Sequence, residues 1–168
     1  MYRPRAFREN DPEELIALAR AHPFATLVSQ ASGSPSATHL PLMMEGTPGK
    51  LRLRGHLARG NTQWQLLSVG DPVLAIFLGD HHYVSPSWYR AEPDVPTWNY
   101  LAVHARGYWQ PVTEEAALRR LLHDTVDHFE RPRACPWSLE QLDEALTRTL
   151  QRGVVGFDIE VEELVGVR

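Results

Sequence analysis

Three cationic side chains alternate along one stretch of the chain and stand just before a helix-starting residue. Arg52, Arg54 and His56 lie two residues apart, so a β-strand would place all three on one face. The chain then turns through 58–60 to Asn61, a residue type that often begins helices. Guanidinium groups, an imidazole and the free amides of a helix N-terminus together favour phosphate. The pattern predicts an anion site, and a solvated basic face on an edge strand is the competing interpretation.

Two similar loops concentrate aromatic residues in the second half of the chain. Tyr83-Val-Ser-Pro-Ser-Trp-Tyr89 and Val95-Pro-Thr-Trp-Asn-Tyr100 each combine proline, hydroxyl side chains and aromatic rings. Because proline restricts the backbone, Trp88 and Trp98 are held at low entropic cost. Such rings suit stacking on a planar ligand or a hot spot at an interface. Ordinary core or subunit packing is the alternative interpretation.

Histidine and cysteine spacing does not favour a metal centre. His81 and His82 are adjacent, so a strand would point them to opposite faces. His123 and His128 miss the i, i+4 spacing that places two ligands on one helix face. Cys135 is the only cysteine, which excludes an internal disulfide and a CxxC zinc site. We therefore predict no metal, and we find no nucleophile elbow, P-loop or Rossmann glycine run.

Length and charge limit the classes of function. At about 150 residues per domain, a chain of 168 residues predicts one domain. Seventeen basic and 21 acidic side chains give a net charge of −4, which disfavours direct binding to nucleic-acid phosphates. No apolar run approaches the ~20 residues of a membrane-spanning helix, and no secretory apolar region follows Met1. We expect a cytoplasmic protein.

Alternating residues and turn-forming clusters predict a chain dominated by β-strands. A first helix is predicted from Pro12, with Asp11 and Glu14 as a capping box and Pro23 as its stop. Strands are predicted over 24–29, 38–44, 51–57, 73–78, 83–88, 97–112 and 154–161. Within this set, the run from Val73 to Leu78 is apolar throughout, which is typical of a strand covered on both faces.

A pair of helices is predicted at about 114–151, inserted before the last strand. One begins after Thr113, and the other is expected to begin at Ser138 with Gln141 as its capping-box partner. Short turns between apolar strands favour a single antiparallel barrel over residues 1–168, because closure hides the strand edges. An open α+β sheet with helices on one face is the alternative.

Motifs spread over nearly the whole chain resemble one known family. They are Met1-Tyr-x-Pro-x-x-Phe7, Thr38-His-Leu-Pro-Leu42, Gly55-His-Leu-Ala-Arg-Gly-Asn61, Phe77-Leu-Gly79, the two aromatic loops and Val103-His104. In this order they resemble the PaiB family of FMN-binding negative transcriptional regulators, within the flavin-binding split-barrel superfamily. The resemblance implies a mainly β fold with helices, namely a six-stranded antiparallel FMN-binding split barrel with peripheral helices. It also implies a homodimer with FMN in the groove between subunits.

The resemblance also divides the expected site by position along FMN, and the cationic pattern adds Arg54 to the phosphate end. The strand along the flavin ring is expected to carry Thr38, His39, Leu40 and Pro41. The phosphate end is expected to be lined by Arg54, His56, Ala58, Arg59 and Asn61. The loops that approach the ring are expected to contribute Trp88, Trp98 and Asn99. The resemblance does not specify which subunit supplies the approaching loops.

Three functions compete at this point. The first is a flavin protein, either a redox enzyme or a sensor with an indirect negative regulatory role, although no side chain stands out as a catalytic acid or base. The second is a repressor that binds DNA directly, which the net charge of −4 disfavours. The third is a haem or other planar-ligand protein on the same barrel, with His39, His56 or His104 as axial ligand.

Overall fold

The computed structural model describes residues 1–31, 33–89 and 95–168. The strands are Arg8–Glu9 (β1), Phe24–Ala31 (β2), Ser34–Pro41 (β3), Met43–Thr47 (β4), Lys50–Ala58 (β5), Pro72–Val84 (β6), Thr97–Val112 (β7) and Val154–Val167 (β8). The α-helices are Pro12–Ala21 (α1), Glu115–Glu130 (α2) and Glu144–Arg152 (α3). Within the described ranges, no helix has both the length and the apolar character needed to cross a membrane.

The strands form one antiparallel sheet that the chain itself closes into a barrel. Its order is β3-β2-β6-β7-β8-β5-β4, and β1 pairs with β8. Only Leu42 separates β3 from β4, so the two ends of this order are halves of one continuous stretch. At the break, the Leu42 amide donates to the carbonyl of Pro23 at 2.8 Å. The expected antiparallel barrel is therefore confirmed, although it has eight strand segments because one long strand is divided and β1 is added.

The barrel interior is filled by the inward side chains of every long strand. Leu27, Leu53, Phe77 and Phe157 are fully buried, and the Trp109 ring stacks on Phe157 with 4.3 Å between centroids. The alternation expected for 51–57 is confirmed, since the leucines of this stretch are buried in the core. Helix α1 covers one part of the barrel with an apolar face that joins the same core. This packing makes the barrel wall a rigid support for groups on its outer face.

The start of α1 is held differently from the expected capping box. Asp11 accepts from the Glu13 amide at 2.9 Å, as an N-cap should. The reciprocal bond to the Asp11 amide comes from Glu9, at 2.9 Å, instead of Glu14. Glu14 forms an ion pair with Arg168 at 2.8 Å. Because β1 ends at Glu9, this carboxylate is already positioned beside the helix start.

The second inserted helix begins later than the Ser138 pattern predicts. Leu139–Gln141 forms only a 3-10 turn, and Ser138 makes no side-chain cap bond. Helix α3 starts at Glu144, where the Asp143 carboxylate accepts from the Leu146 amide at 2.8 Å. Asp143 therefore performs the capping role that the pattern assigned to Ser138, five positions earlier.

The strand predicted over 83–88 is divided in the structure. β6 ends at Val84, and Pro86–Trp88 forms a 3-10 turn. The turn is favoured because the Ser85 hydroxyl accepts from the Ser87 amide at 3.3 Å. Pro86 also has no amide to donate to a ladder. Within one chain, the apolar run of β6 is covered on its inner face only, so the expected cover on both faces is not met there. On the outer face Leu74 and Ile76 are partly buried and Leu78 is exposed, because this strand is a wall of a barrel whose outer face stays open in one chain.

Candidate functional site

The turn after β5 is joined to β3 by the side chain of Asn61. Its Oδ1 accepts from the Gln63 amide at 2.8 Å, which caps the short 3-10 helix Thr62–Leu66. Its Nδ2 donates to Thr38 Oγ1 at 2.8 Å. One amide therefore brings together two segments that the sequence assigned to one site. The sequence alone predicted the cap but not the bond to Thr38.

Gln63 is a structural residue of the site that sequence reasoning missed. Its side chain is buried, and its Nε2 donates to Ser29 Oγ at 2.9 Å and to the carbonyl of Leu27 at 3.2 Å. A third contact reaches the carbonyl of Ser36 at 3.3 Å. These contacts link the turn to both β2 and β3. The signal available in the sequence was an amide side chain two positions after a cap, and such side chains also occur at solvent-exposed positions.

Arg59 is fixed by backbone carbonyls at the end of α3. Its Nε donates to the carbonyl of Arg152 at 2.6 Å and its Nη2 to that of Val154 at 2.8 Å. Its guanidinium carbon lies 6.0 Å from the centre of the Trp64 ring. Among the residues that the structure describes, no carboxylate pairs with Arg59. The positive charge is therefore oriented and has no carboxylate partner in the described ranges, which leaves it available to an anion.

Arg54 belongs to an ion-pair cluster on the outer face of β5. Its Nη1 lies 2.9 Å from Glu45 Oε1 and 2.8 Å from Asp124 Oδ2, and its Nε lies 3.5 Å from Asp158 Oδ1. Partial burial alone would raise the pKa of Glu45, but its hydrogen bonds to Arg54 and Arg52 outweigh that effect and lower it. Because Asp124 lies on α2, the cluster attaches the helical insertion to the barrel.

His56 lies beneath the same insertion. It lines a cavity of about 260 Å³ together with residues of α2 and α3. Burial lowers its pKa, so the imidazole is neutral at pH 7. The structure thus brings Thr38, Ala58, Arg59 and Asn61 to one end of β5 but places the side chains of Arg54 and His56 under the helical pair.

The outer face of β3 continues across the neighbouring strands. The register aligns His39, Thr26, Ile76 and His104 in one row over β3, β2, β6 and β7. His39 Nδ1 lies 2.9 Å from Thr26 Oγ1, and the His39 ring stacks on Phe24 with 6.4 Å between centroids. Burial, with the N-terminal amino group and Arg106, lowers the pKa of His104. The row is a shallow, mixed polar and apolar floor.

The other two residues predicted along β3 contribute mainly backbone. Leu40 is buried in the barrel core, so its side chain is not available to a ligand on the outer face. Pro41 is partly buried and pairs with Phe24 of β2. Since β3 is the last strand in the sheet order on this side, its outer edge and face offer backbone groups to a planar molecule.

Aromatic side chains gather at the β6–β7 end of the same outer face. Trp98 lies 5.8 Å from His81 and 6.0 Å from Tyr83, centroid to centroid, and is 58% exposed. Trp98 and Asn99 line a cavity of about 460 Å³ whose other walls include Tyr2, Phe7 and Tyr100. Trp88 is exposed on its 3-10 turn and does not line this cavity. Within the described ranges, no group of three or more His, Cys, Asp or Glu could hold a metal ion.

Comparisons with known proteins agree on one family and one fold. A family model described as "Putative FMN-binding domain" matches residues 1–163. The chain is 37% identical over 164 residues to the Protease synthase and sporulation protein PAI 2 of Bacillus subtilis (strain 168), covering 98% of this chain and 78% of that protein.

Two solved structures resemble the barrel closely. The flavocytochrome Anf3 from Azotobacter vinelandii superposes with a TM-score of 0.76 at 19% identity, over 100% of this chain and 72% of that one. The FAD and heme binding protein from Mycobacterium smegmatis superposes with a TM-score of 0.69 at 19% identity, over 95% of this chain and 72% of that one. At these identities the likeness shows a shared fold.

Proposed function

The chain belongs to this FMN-binding domain family as a PaiB-like flavin-binding split-barrel protein, and from that membership we propose where it holds FMN. The ring lies along Thr38–Pro41 on the outer face of β3, and the phosphate lies at the turn formed by Ala58, Arg59 and Asn61. When bound, FMN supplies electron or hydride transfer, and the chain supplies orientation and charge.

The observation that carries the proposal is the state of Arg59. Its guanidinium is anchored through two carbonyls of the α3 end, yet no carboxylate in the described parts of the chain neutralises it. Asn61 lies two positions further along and is bonded to Thr38, so the anchor for the phosphate is continuous with the strand for the ring. A phosphate placed there gains a charge-assisted hydrogen bond without displacing an existing carboxylate.

A homodimer completes the site in this proposal. Phe24 and Leu78 on the outer sheet face are 67% and 52% exposed, and exposed apolar patches of this kind mark interaction surfaces. Trp98 and Asn99 of a second copy, with Trp88 beside them, would then close over the flavin ring. The expected result for Leu78→Glu is a monomer by analytical ultracentrifugation, whereas Val69→Glu, at an exposed turn position, stays dimeric.

We place this protein in the cytoplasm and assign any negative regulatory role to flavin or redox state instead of direct DNA contact. The exposed free thiol of Cys135 favours a reducing compartment. The net charge of −4 works against phosphate-backbone binding. A salt-dependent shift of promoter DNA at physiological ionic strength would overturn the indirect role.

Fluorescence titration of FMN tests the flavin site. We expect wild-type protein to quench micromolar FMN, and Arg59→Gln to weaken binding about tenfold, the loss of one charge-assisted hydrogen bond. Arg152→Gln is the matched control, because Arg152 accepts the bond from Arg59 through its backbone carbonyl, which the substitution keeps. Equal weakening by both variants, or no quenching by wild type, contradicts the assignment. A haem absorption band in place of a flavin band would favour the planar haem alternative.

A further inference from the structure

A second cavity lies away from the flavin face, between the barrel and the helical insertion. Its volume of about 260 Å³ is just below the ~300–1,000 Å³ of ordinary small-molecule sites. It is lined by His56, Arg119, Leu122, Thr125, Val126, Leu139, Thr147, Leu150, Gln151 and Val154. Aliphatic side chains supply half of this wall, so the interior favours an apolar body.

Most polar side chains of the wall already have partners in the protein. Thr125 donates to the carbonyl of Leu121 at 2.7 Å, and Thr147 to that of Asp143 at 3.0 Å. Gln151 Nε2 donates to the carbonyl of Glu115 at 2.8 Å. These groups stabilise the helices and leave little donor capacity for a ligand.

His56 is the exception inside the cavity wall. Its Nδ1 is buried and has no hydrogen-bond partner among the described residues. Because Nδ1 is closed off, a ligand hydroxyl in the cavity would meet the other ring nitrogen, Nε2, and would give this buried imidazole a hydrogen-bond partner. The imidazole is neutral because burial lowers its pKa, so it exchanges a neutral hydrogen bond with such a group.

Arg119 supplies a cation to the same cavity. Its guanidinium is 3.9 Å from Glu144 Oε1, while the same carboxylate oxygen lies 2.7 Å from Arg148. Glu144 therefore compensates Arg148 more closely than Arg119. An arginine with a weakly held partner at the edge of an apolar chamber favours a carboxylate ligand.

We propose that this cavity is a second ligand site, which binds a small aromatic monocarboxylate bearing a hydroxyl group. The ring occupies the aliphatic chamber between α2 and α3, the hydroxyl bonds to His56, and the carboxylate pairs with Arg119. The proposal stands on the cavity between β5 and the helical insertion and does not depend on the flavin site.

Nuclear magnetic resonance of methyl-labelled protein with 4-hydroxybenzoate tests this site. We expect saturable shifts of the Leu122, Val126, Leu150 and Val154 methyl signals, with a dissociation constant at or below about 1 mM. Benzoate lacks the hydroxyl and phenol lacks the carboxylate, so each should bind about tenfold more weakly. Linear, unsaturable shifts up to about 10 mM, or equal affinity for all three compounds, would overturn the proposal.

Matched variants separate ligand binding from damage to the fold. Leu150→Trp fills the chamber and should abolish the saturable shifts, whereas Leu146→Trp on the same helix, at a similarly exposed leucine outside the wall, should keep them. Arg119→Gln should weaken 4-hydroxybenzoate about tenfold, and the neighbouring Arg120→Gln should not. Retained binding in Leu150→Trp refutes the site. FMN titration of the same samples reports the flavin site separately.

Discussion

Replacing Arg54 by Met tests whether this arginine attaches the helical insertion or binds the cofactor. The side chain is only 13% exposed, and its three carboxylate partners are 28% to 47% exposed. Removing one member of a fully buried ion pair costs about 3–5 kcal/mol, and a surface pair contributes about 0–1 kcal/mol. Since the arginine is buried and its partners are partly solvated, we expect a loss of about 2–3 kcal/mol in the free energy of unfolding.

The charge left behind gives the substitution a pH signature. Without Arg54, the carboxylates of Glu45, Asp124 and Asp158 face one another, so the pKa values of Glu45 and Asp158 in the folded state rise above those in the unfolded chain. Burial already raises the pKa of Asp158 despite its two arginine partners. When the pKa of a carboxyl group is raised by folding, the folded state binds its proton more tightly than the unfolded chain does, which stabilises the folded state at low pH. This stabilisation is lost as the pH rises through the raised pKa. The deficit should therefore be largest near pH 7 and smaller near pH 4.5.

Urea denaturation followed by circular dichroism measures this loss directly. Arg52→Met is the matched control on the same strand face, because its side chain is 51% exposed and should contribute less than about 1 kcal/mol. At a temperature where both variants are folded, FMN affinity should equal that of the wild type. A stable Arg54→Met variant, or a selective tenfold loss of FMN affinity in it, would refute the structural role.

Three further substitutions test the supports of the barrel and site. Asn61→Ala removes a cap and the bond to Thr38, so the free energy of unfolding measured by urea titration should fall by about 1–2 kcal/mol, and the variant should quench FMN more weakly. An unchanged free energy of unfolding would contradict this prediction. The pKa of His56 is lowered in the folded state, so its contribution to the free energy of unfolding is fully present above about pH 6.5. As the pH falls below that value, the unfolded chain takes up a proton at His56 and the free energy of unfolding decreases. His56→Gln should therefore make the free energy of unfolding depend less on pH between pH 7 and 5.5. Gly166→Ala would place a Cβ 2.2 Å from a Leu15 methyl, so thermal melts should show a loss of about 1–3 kcal/mol.

The elements that the sequence predicted well depend on local patterns. The strand over Thr97–Val112 is confirmed to its ends, since its alternation is long and Pro96, directly before it, has no amide to donate to a ladder. The cap at Asn61 is also confirmed, because it needs only the amide of a residue two positions on. Motifs of adjacent residues likewise sufficed to identify the family.

The parts that could not be predicted depend on contacts between distant segments. Alternation placed Arg54 and His56 on the outer face, but only tertiary structure shows that α2 covers that face, with Asp124 lying 70 residues from Arg54 in the chain. The start of α3 was misplaced because Ser138 and Asp143 are both acceptable caps, and packing decides between them. The anchoring of Arg59 uses carbonyls, which carry no sequence signature.

That last contact has a consequence for how this protein can vary. Because Arg59 is held by the carbonyls of Arg152 and Val154, side chains at 152–154 can be exchanged without removing either acceptor. Insertions or deletions between α3 and β8 would instead move both acceptors out of reach. The connection between the helical insertion and the turn after β5 is therefore tolerant of residue identity and sensitive to loop length. Homologues that differ in length at this junction should position their arginine differently.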